Sequence, residues 1–103
     1  MNKFGLLEKD IEEILAVLKK FPKVEKAIVF GSRAKGNFKN GSDVDIALKG
    51  KDLDFETISD LSYLLNEETQ MPYKFDVLNY HRIQEPYLKN HIDRIGIKLY
   101  DGR

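Results

Sequence analysis

Cysteine is absent from this chain, and so is any excess of charge of one sign. Without cysteine there is no disulfide, thiolate metal site or cysteine nucleophile, and the reducing cytoplasm is the expected compartment. The 17 basic side chains balance 17 acidic ones. This balance argues against a domain that wraps nucleic acid, because such domains usually carry a basic excess.

Long apolar segments are also missing. The stretch from Met1 to Asp10 contains none, so no secretory signal is predicted. No apolar run approaches the ~20 residues that span a bilayer, so no membrane partner is expected. The length of 103 residues and the 42% hydrophobic content predict one domain with a modest core, over residues 1–103.

The hydrophobic pattern predicts alternating helices and strands. Helices are predicted over residues 8–20, from a cap at Asp54 or Thr57 to 68, and over 82–92, with a short helix over 32–35 that Ser32 caps. Strands are predicted over 26–30, 43–48, 74–78 and 95–100, the last as an edge strand or an extension. The turn dipeptide Asn40-Gly41 favours antiparallel pairing of the first two strands.

Three aspartates are the candidate metal ligands. Asp43 and Asp45 project from one face of their predicted strand, about 7 Å apart, and repel each other unless a cation neutralises them. Mg²⁺ prefers oxygen ligands and often takes one or two carboxylates plus phosphate oxygens. Asp76, on a neighbouring strand and facing the same way, would complete a site for two metal ions. Each aspartate alone is more often simply solvated, so the combination with the turn upstream is what favours metal chemistry.

That turn, Gly31-Ser32, follows the first predicted strand and opens the short helix. Amide groups at a helix N-terminus favour an anion, glycine lets a phosphate approach the backbone, and a serine hydroxyl donates to phosphate oxygen. Arg33 and Lys35 are candidates for neutralising triphosphate charge, and plain exposure to solvent is the alternative for both.

Other chemistries find less support in the sequence. Gly31 and Gly36 have the spacing of a Walker loop, but Asn37-Phe38 replaces its Lys-Ser/Thr. For His81 and His91, the only histidines, surface or packing roles are predicted rather than ligation.

The arrangement of Gly31-Ser32, ten residues, Asp43-x-Asp45 and the later Asp76 resembles the DNA polymerase β-like nucleotidyltransferase superfamily. The fuller string GSRAKG…SDVDIAL resembles its minimal, single-domain branch, the MNT proteins. The resemblance extends over residues 8–100. It implies an α/β (α+β) fold in which a mixed sheet carries the carboxylates and is flanked by helices.

The resemblance also implies a reaction, the Mg²⁺-dependent transfer of a nucleoside monophosphate, AMP from ATP, to an acceptor hydroxyl. Asp43 and Asp45 would bind two Mg²⁺ ions, and Asp76 would bind the catalytic ion and help to activate the acceptor hydroxyl. The nucleotide-binding residues would hold the triphosphate or orient the metal ligands. They are Gly31, Ser32, Arg33, Lys35 and, for orienting Asp43, Ser42.

MNT proteins are often paired with a small helical HEPN protein, so the resemblance implies that this chain adenylylates such a partner and acts as the antitoxin of a toxin–antitoxin system. A binding antitoxin that neutralises its partner by contact alone is the main alternative, with Phe4, Tyr87 and Tyr100 as interface candidates. Transfer to a small molecule is a further alternative. Transfer to RNA finds no basic stripe with interleaved aromatics to support it.

Overall fold

The computed structural model describes residues 4–102, so the ends of the predicted domain, 1–3 and 103, lie outside the described residues. The helices are α1 (Glu8–Lys19), α2 (Ser32–Lys35), α3 (Phe55–Glu67) and α4 (Pro86–Ile95). The strands are β1 (Lys26–Phe30), β2 (Val44–Lys49), β3 (Phe75–Asn79) and β4 (Ile97–Asp101).

The four strands form one mixed sheet in the order β3-β2-β1-β4. Strand β1 pairs antiparallel with both β2 and β4, and β2 pairs parallel with β3. The predicted antiparallel pairing of the first two strands is therefore confirmed, and the last strand lies at the sheet edge as predicted. Since β2 and β3 run together and against β1, the end of β1 and the starts of β2 and β3 meet at one end of the sheet.

Helices α1 and α3 cover one face of this sheet. Ile14 and Leu18 of α1 and Leu61 of α3 are fully buried against strand residues. The Asp54 side chain accepts a hydrogen bond from the amide of Thr57 at 2.8 Å, so α3 begins at one of the predicted caps. None of the helices within residues 4–102 combines the length and apolar character needed to cross a membrane.

Helix α4 covers the other face, where Ile92 packs against Phe30 and Ala47. The prediction that this helix begins at residue 82 is wrong. It begins at Pro86, whose fixed φ and missing N–H suit a first helical position, and a separate 3₁₀ turn spans Tyr80–Arg82. A mixed sheet with helices on both faces confirms the predicted α+β class.

The interface candidates differ sharply in exposure. Phe4 is only 8% exposed and belongs to the hydrophobic core, so its predicted place on an interface is wrong. Tyr100 is half-buried and packs against the same core. Tyr87, at the start of α4, is 87% exposed, so it alone of the three presents a full aromatic side chain to solvent.

Candidate active site

The carboxylates come together at the end of the sheet where β1 ends and β2 and β3 begin. Asp45 of β2 lies directly opposite Asp76 of β3 and, on its other side, opposite Phe30 of β1. Residues paired across neighbouring strands point to the same face and are about 4.8 Å apart in the backbone. Asp45 and Asp76 therefore stand side by side, on the face that α4 only partly covers.

The ionisation of Asp45 is sensitive to its burial and to its charged neighbours. Burial raises the pKa of the half-buried Asp45 carboxyl above its usual value, and the negative charges of Asp76 and then Asp43 raise it further. The positive charge of Arg33 acts in the opposite direction. A carboxylate that is disfavoured by two like charges is one that a cation would stabilise.

Gly31 brings the predicted phosphate-binding turn against these carboxylates. Its backbone has φ 74° and ψ −154°, a conformation that is almost confined to glycine. A Cβ atom at this position would overlap the side-chain carboxylate of Asp45. The turn therefore passes directly against Asp45, and the two motifs that the sequence placed apart lie in contact.

Ser32 and Lys35 lie at the two ends of α2, the single helical turn after Gly31. Ser32 is half-buried and Lys35 is exposed. The prediction that Ser32 caps this helix is wrong, because Gly31 holds the cap position and Ser32 is the first helical residue. Gly36 ends the helix in the left-handed conformation, with φ 86°. Ser32 thus follows Gly31 immediately at the edge of the carboxylate cluster.

Arg33 is placed differently from the predicted phosphate contact. Its side chain is buried, with 3% exposure. Nε and Nη2 both donate to the carbonyl oxygen of Ser42, at 3.1 and 2.8 Å, and Nη1 donates to the carbonyl oxygen of Phe4 at 2.8 Å. The guanidinium group thus holds two chain segments, and the geometry does not support a phosphate contact for it.

Ser42 has a different role from the predicted one as well. Its hydroxyl oxygen accepts a hydrogen bond from the amide of Lys39 at 2.8 Å, which closes the turn before β2. Its carbonyl oxygen accepts two hydrogen bonds from the guanidinium group of Arg33. The connection of Ser42 to the neighbouring Asp43 therefore runs through the backbone.

His91 also lies at the site, although only a surface or packing role was predicted for it from the sequence. Its Nε2 accepts a hydrogen bond from the amide of Gly31 at 3.0 Å, and its ring packs edge-on against Phe30. His81 lies elsewhere and accepts from the amide of Gly50 at 3.1 Å. The contact of His91 joins residues 60 positions apart, and no local pattern in the sequence signals it.

The carboxylates have the chemistry that a magnesium ion prefers. In residues 4–102, no three His, Cys, Asp or Glu side chains close around a point as a ready-made metal site. Asp45 and Asp76 supply adjacent hard oxygen donors, with the charge of Asp43 nearby. Mg²⁺ commonly binds in this way, through one or two carboxylates together with substrate phosphates and water.

Several solved structures share this fold. A toxin–antitoxin structure with AMP-PNP is 24% identical, with a TM-score of 0.71 over 95% of this chain and 76% of that one. The MNT antitoxin complex with the tri-AMPylated Shewanella oneidensis HEPN toxin gives 21% identity and a TM-score of 0.69, over 91% of this chain and 71% of that one. A nucleotidyltransferase-like protein from Sulfolobus solfataricus gives 21% and 0.57, over 91% and 79%.

The family of the chain follows from its sequence. No curated protein matches the chain significantly. The family model described as polymerase beta, nucleotidyltransferase matches residues 12–102, which include the Gly31-Ser32 turn and all three aspartates. The resemblance noted in the sequence is thereby confirmed, and the chain belongs to the polymerase beta nucleotidyltransferase family.

Proposed function

We propose that this chain transfers AMP from Mg²⁺-bound ATP to a hydroxyl group on a HEPN-type partner and so acts as an antitoxin. The observation that carries the proposal is the contact between the Gly31 turn and Asp45, which itself lies beside Asp76. A chain segment suited to phosphate and a pair of metal-binding oxygens are thus in one place. Nucleotidyl transfer needs both at once.

Asp43, Asp45 and Asp76 would hold two magnesium ions. When bound, these ions would neutralise phosphate charge and acidify the acceptor hydroxyl. Asp45 connects the three, because it lies beside Asp76 in the strand register and two residues after Asp43 along the chain.

The remaining residues of the turn would bind the triphosphate. The Ser32 hydroxyl donates to a phosphate oxygen, and the exposed Lys35 ammonium neutralises phosphate charge. Gly31 lets the backbone of the turn pass directly against Asp45, because any side chain at this position would displace that carboxylate.

In the transfer step, the acceptor oxygen forms a bond to the α-phosphorus of ATP while the bond to the β-phosphate oxygen breaks. Pyrophosphate leaves, and the proton of the acceptor hydroxyl passes to the Asp76 carboxylate. Asp76 is exposed, so an acceptor on another molecule can reach its carboxylate. General-base assistance of this kind contributes typically 10²–10⁴-fold to a rate.

The proposed partner rests on the structures that share the fold. Two of the three are toxin–antitoxin structures, one with AMP-PNP and one with a tri-AMPylated HEPN toxin in complex with its MNT antitoxin. An exposed active-site carboxylate and an exposed aromatic, Tyr87, suit a protein acceptor better than an enclosed small molecule. The cysteine-free chain is consistent with work in a reducing cytoplasm.

The test is intact-mass spectrometry of a HEPN-type protein from the same genome, incubated with this chain, ATP and Mg²⁺. We expect the partner to gain one or more AMP units. A double variant, Asp43→Asn with Asp45→Asn, should add none while still folding. If the wild type adds no AMP to a partner that it binds stably, protein adenylylation is wrong. If the double variant relieves growth inhibition as fully as the wild type, neutralisation occurs by contact alone.

A further inference from the structure

Asp43 is the one proposed metal ligand that lies outside a strand, since β2 begins at Val44. Strand pairing therefore fixes Asp45 and Asp76 but leaves Asp43 dependent on the loop before it. The peptide group after Asp43 is held, because the amide of Val44 donates to the carbonyl oxygen of Lys74 at 2.9 Å. What holds the peptide group before Asp43 then decides whether the third carboxylate keeps its place.

The guanidinium group of Arg33 provides that contact. It donates twice to the carbonyl oxygen of Ser42, which belongs to the peptide bond leading into Asp43. Both peptide groups that flank Asp43 are thus fixed, one by Arg33 and one by Lys74, just before β3. Lysine offers a single point charge in place of the planar fork, so it cannot reproduce this geometry together with the bond to Phe4.

Two aromatic rings lie beside the buried guanidinium group of Arg33, and one of them links it to α1. The guanidinium carbon lies 5.2 Å from the ring centre of Phe38 and 5.0 Å from that of Tyr73. The Tyr73 hydroxyl donates to Asp10 of α1 at 3.1 Å, and the same carboxylate oxygen of Asp10 accepts from the amide of Leu7. Helix α1, the loop before β2 and the segment before β3 are therefore joined through one cation.

We propose that Arg33 is a positioning residue that orients Asp43 for metal binding, and that it makes no contact with the nucleotide. This rests on the proposed function, because it assigns Asp43 to the metal. Residues that orient ligands without touching the ion typically change metal affinity by 10–100-fold when they are replaced. The positioning role thus predicts a change in metal affinity at constant nucleotide affinity, and a phosphate contact predicts the reverse.

The experiment measures Mn²⁺ binding by electron paramagnetic resonance with AMP-PNP present, and AMP-PNP binding by calorimetry at saturating Mn²⁺. For Arg33→Lys we expect about tenfold weaker Mn²⁺ binding, with AMP-PNP affinity within about twofold of the wild type, since the side chain does not face the phosphates.

Two matched variants separate positioning from general destabilisation. Arg94→Lys makes the same exchange at an exposed position of α4 and should change neither affinity. Tyr73→Phe removes the hydrogen bond to Asp10 but keeps the ring beside the guanidinium. It should lower the melting temperature while leaving Mn²⁺ affinity within about twofold, because the bonds from Arg33 to Ser42 remain.

If Arg33→Lys does not fold, the Mn²⁺ affinity of Phe38→Leu is measured instead. It removes one ring from the guanidinium without changing the arginine, and should weaken Mn²⁺ binding about two- to fivefold, the range expected for one cation–π contact. Unchanged Mn²⁺ affinity in the folded Arg33 variant, or a loss confined to AMP-PNP, would overturn the positioning role. A wild-type chain that binds neither probe would instead refute the proposed function on which this role rests.

Discussion

Gly31 and Gly36 lie on either side of α2 and offer a direct test of how the turn meets the carboxylates. Both have positive φ, 74° and 86°. Their surroundings differ: a methyl group at Gly31 would overlap the Asp45 carboxylate, whereas one at Gly36 would have no heavy atom within 4 Å. Replacing each by alanine therefore separates backbone strain from displacement of the carboxylate.

The magnitudes follow from these two environments. For Gly36→Ala, the left-handed conformation lowers the free energy of unfolding by about 1–2 kcal/mol. For Gly31→Ala, the backbone conformation is almost confined to glycine and costs about 1–3 kcal/mol by itself. Displacement of Asp45 adds to this, so we expect a total loss of about 3 kcal/mol or more. In a domain of this size each kcal/mol corresponds to about 4–8 °C in melting temperature.

The assay is urea unfolding of the metal-free variants, followed by circular dichroism, with Mn²⁺ and AMP-PNP binding measured on the folded proteins. Gly36→Ala should keep wild-type binding, and Gly31→Ala should lose it because Asp45 has moved. Equal losses of stability for the two variants would refute the close contact between the turn and Asp45. So would wild-type Mn²⁺ affinity in folded Gly31→Ala.

Three further predictions concern single side chains of the site. The raised pKa of Asp45 means that the folded state keeps this proton to higher pH than the unfolded state, so its ionisation lowers stability as the pH rises above the usual aspartate range. Asp45→Asn should therefore raise the melting temperature of the metal-free protein at about pH 7. It should change the melting temperature little at about pH 3, which lies below the pKa of Asp45 in both the folded and the unfolded states. A lower melting temperature at neutral pH would contradict this. Ser32→Ala should weaken AMP-PNP binding about tenfold in calorimetry at an unchanged melting temperature, since it removes one hydrogen bond to a charged phosphate. Unchanged affinity would remove Ser32 from the site. His91→Leu should lower the free energy of unfolding by about 1–3 kcal/mol, because it leaves the amide of Gly31 without its acceptor, whereas His91→Gln, which keeps an acceptor, should lose clearly less; equal losses would show that only packing matters.

The parts of the site that the sequence predicted are those set by local pattern. Strand β1 covers the predicted residues, and β2 and β3 are each displaced by only one. Asp45 and Asp76 share a face because alternation along a strand and the parallel pairing of β2 with β3 both act on them. The Gly31-Ser32 turn likewise follows β1 directly and opens the short helix, as the sequence predicted.

The parts that the sequence could not predict depend on contacts between distant segments. In the sequence, Arg33 is a cation next to a predicted phosphate-binding turn. Only the folded chain shows that its guanidinium group donates to the carbonyl oxygens of Phe4 and Ser42. His91 reads as one of two isolated histidines until α4 folds over the end of β1. Phe4 was predicted as an interface residue because the residues next to it in the sequence do not indicate that it is buried in the core.

The same acidic cluster that suits the proposed reaction disfavours ionisation of Asp45 in the folded chain. Asp45 is half-buried, lies beside Asp76 and has a raised pKa, so each ionised neighbour makes its charged form less favourable. A ligand that binds only the folded state stabilises it, by about 2.7 kcal/mol at 100 times its dissociation constant. If metal-bound nucleotide is that ligand, relief of carboxylate repulsion contributes to its binding and to stability through one interaction. Arg33 partly offsets the repulsion at Asp45 while fixing the peptide group before Asp43. One buried cation thus acts on two of the three carboxylates, through its charge at Asp45 and through the backbone at Asp43.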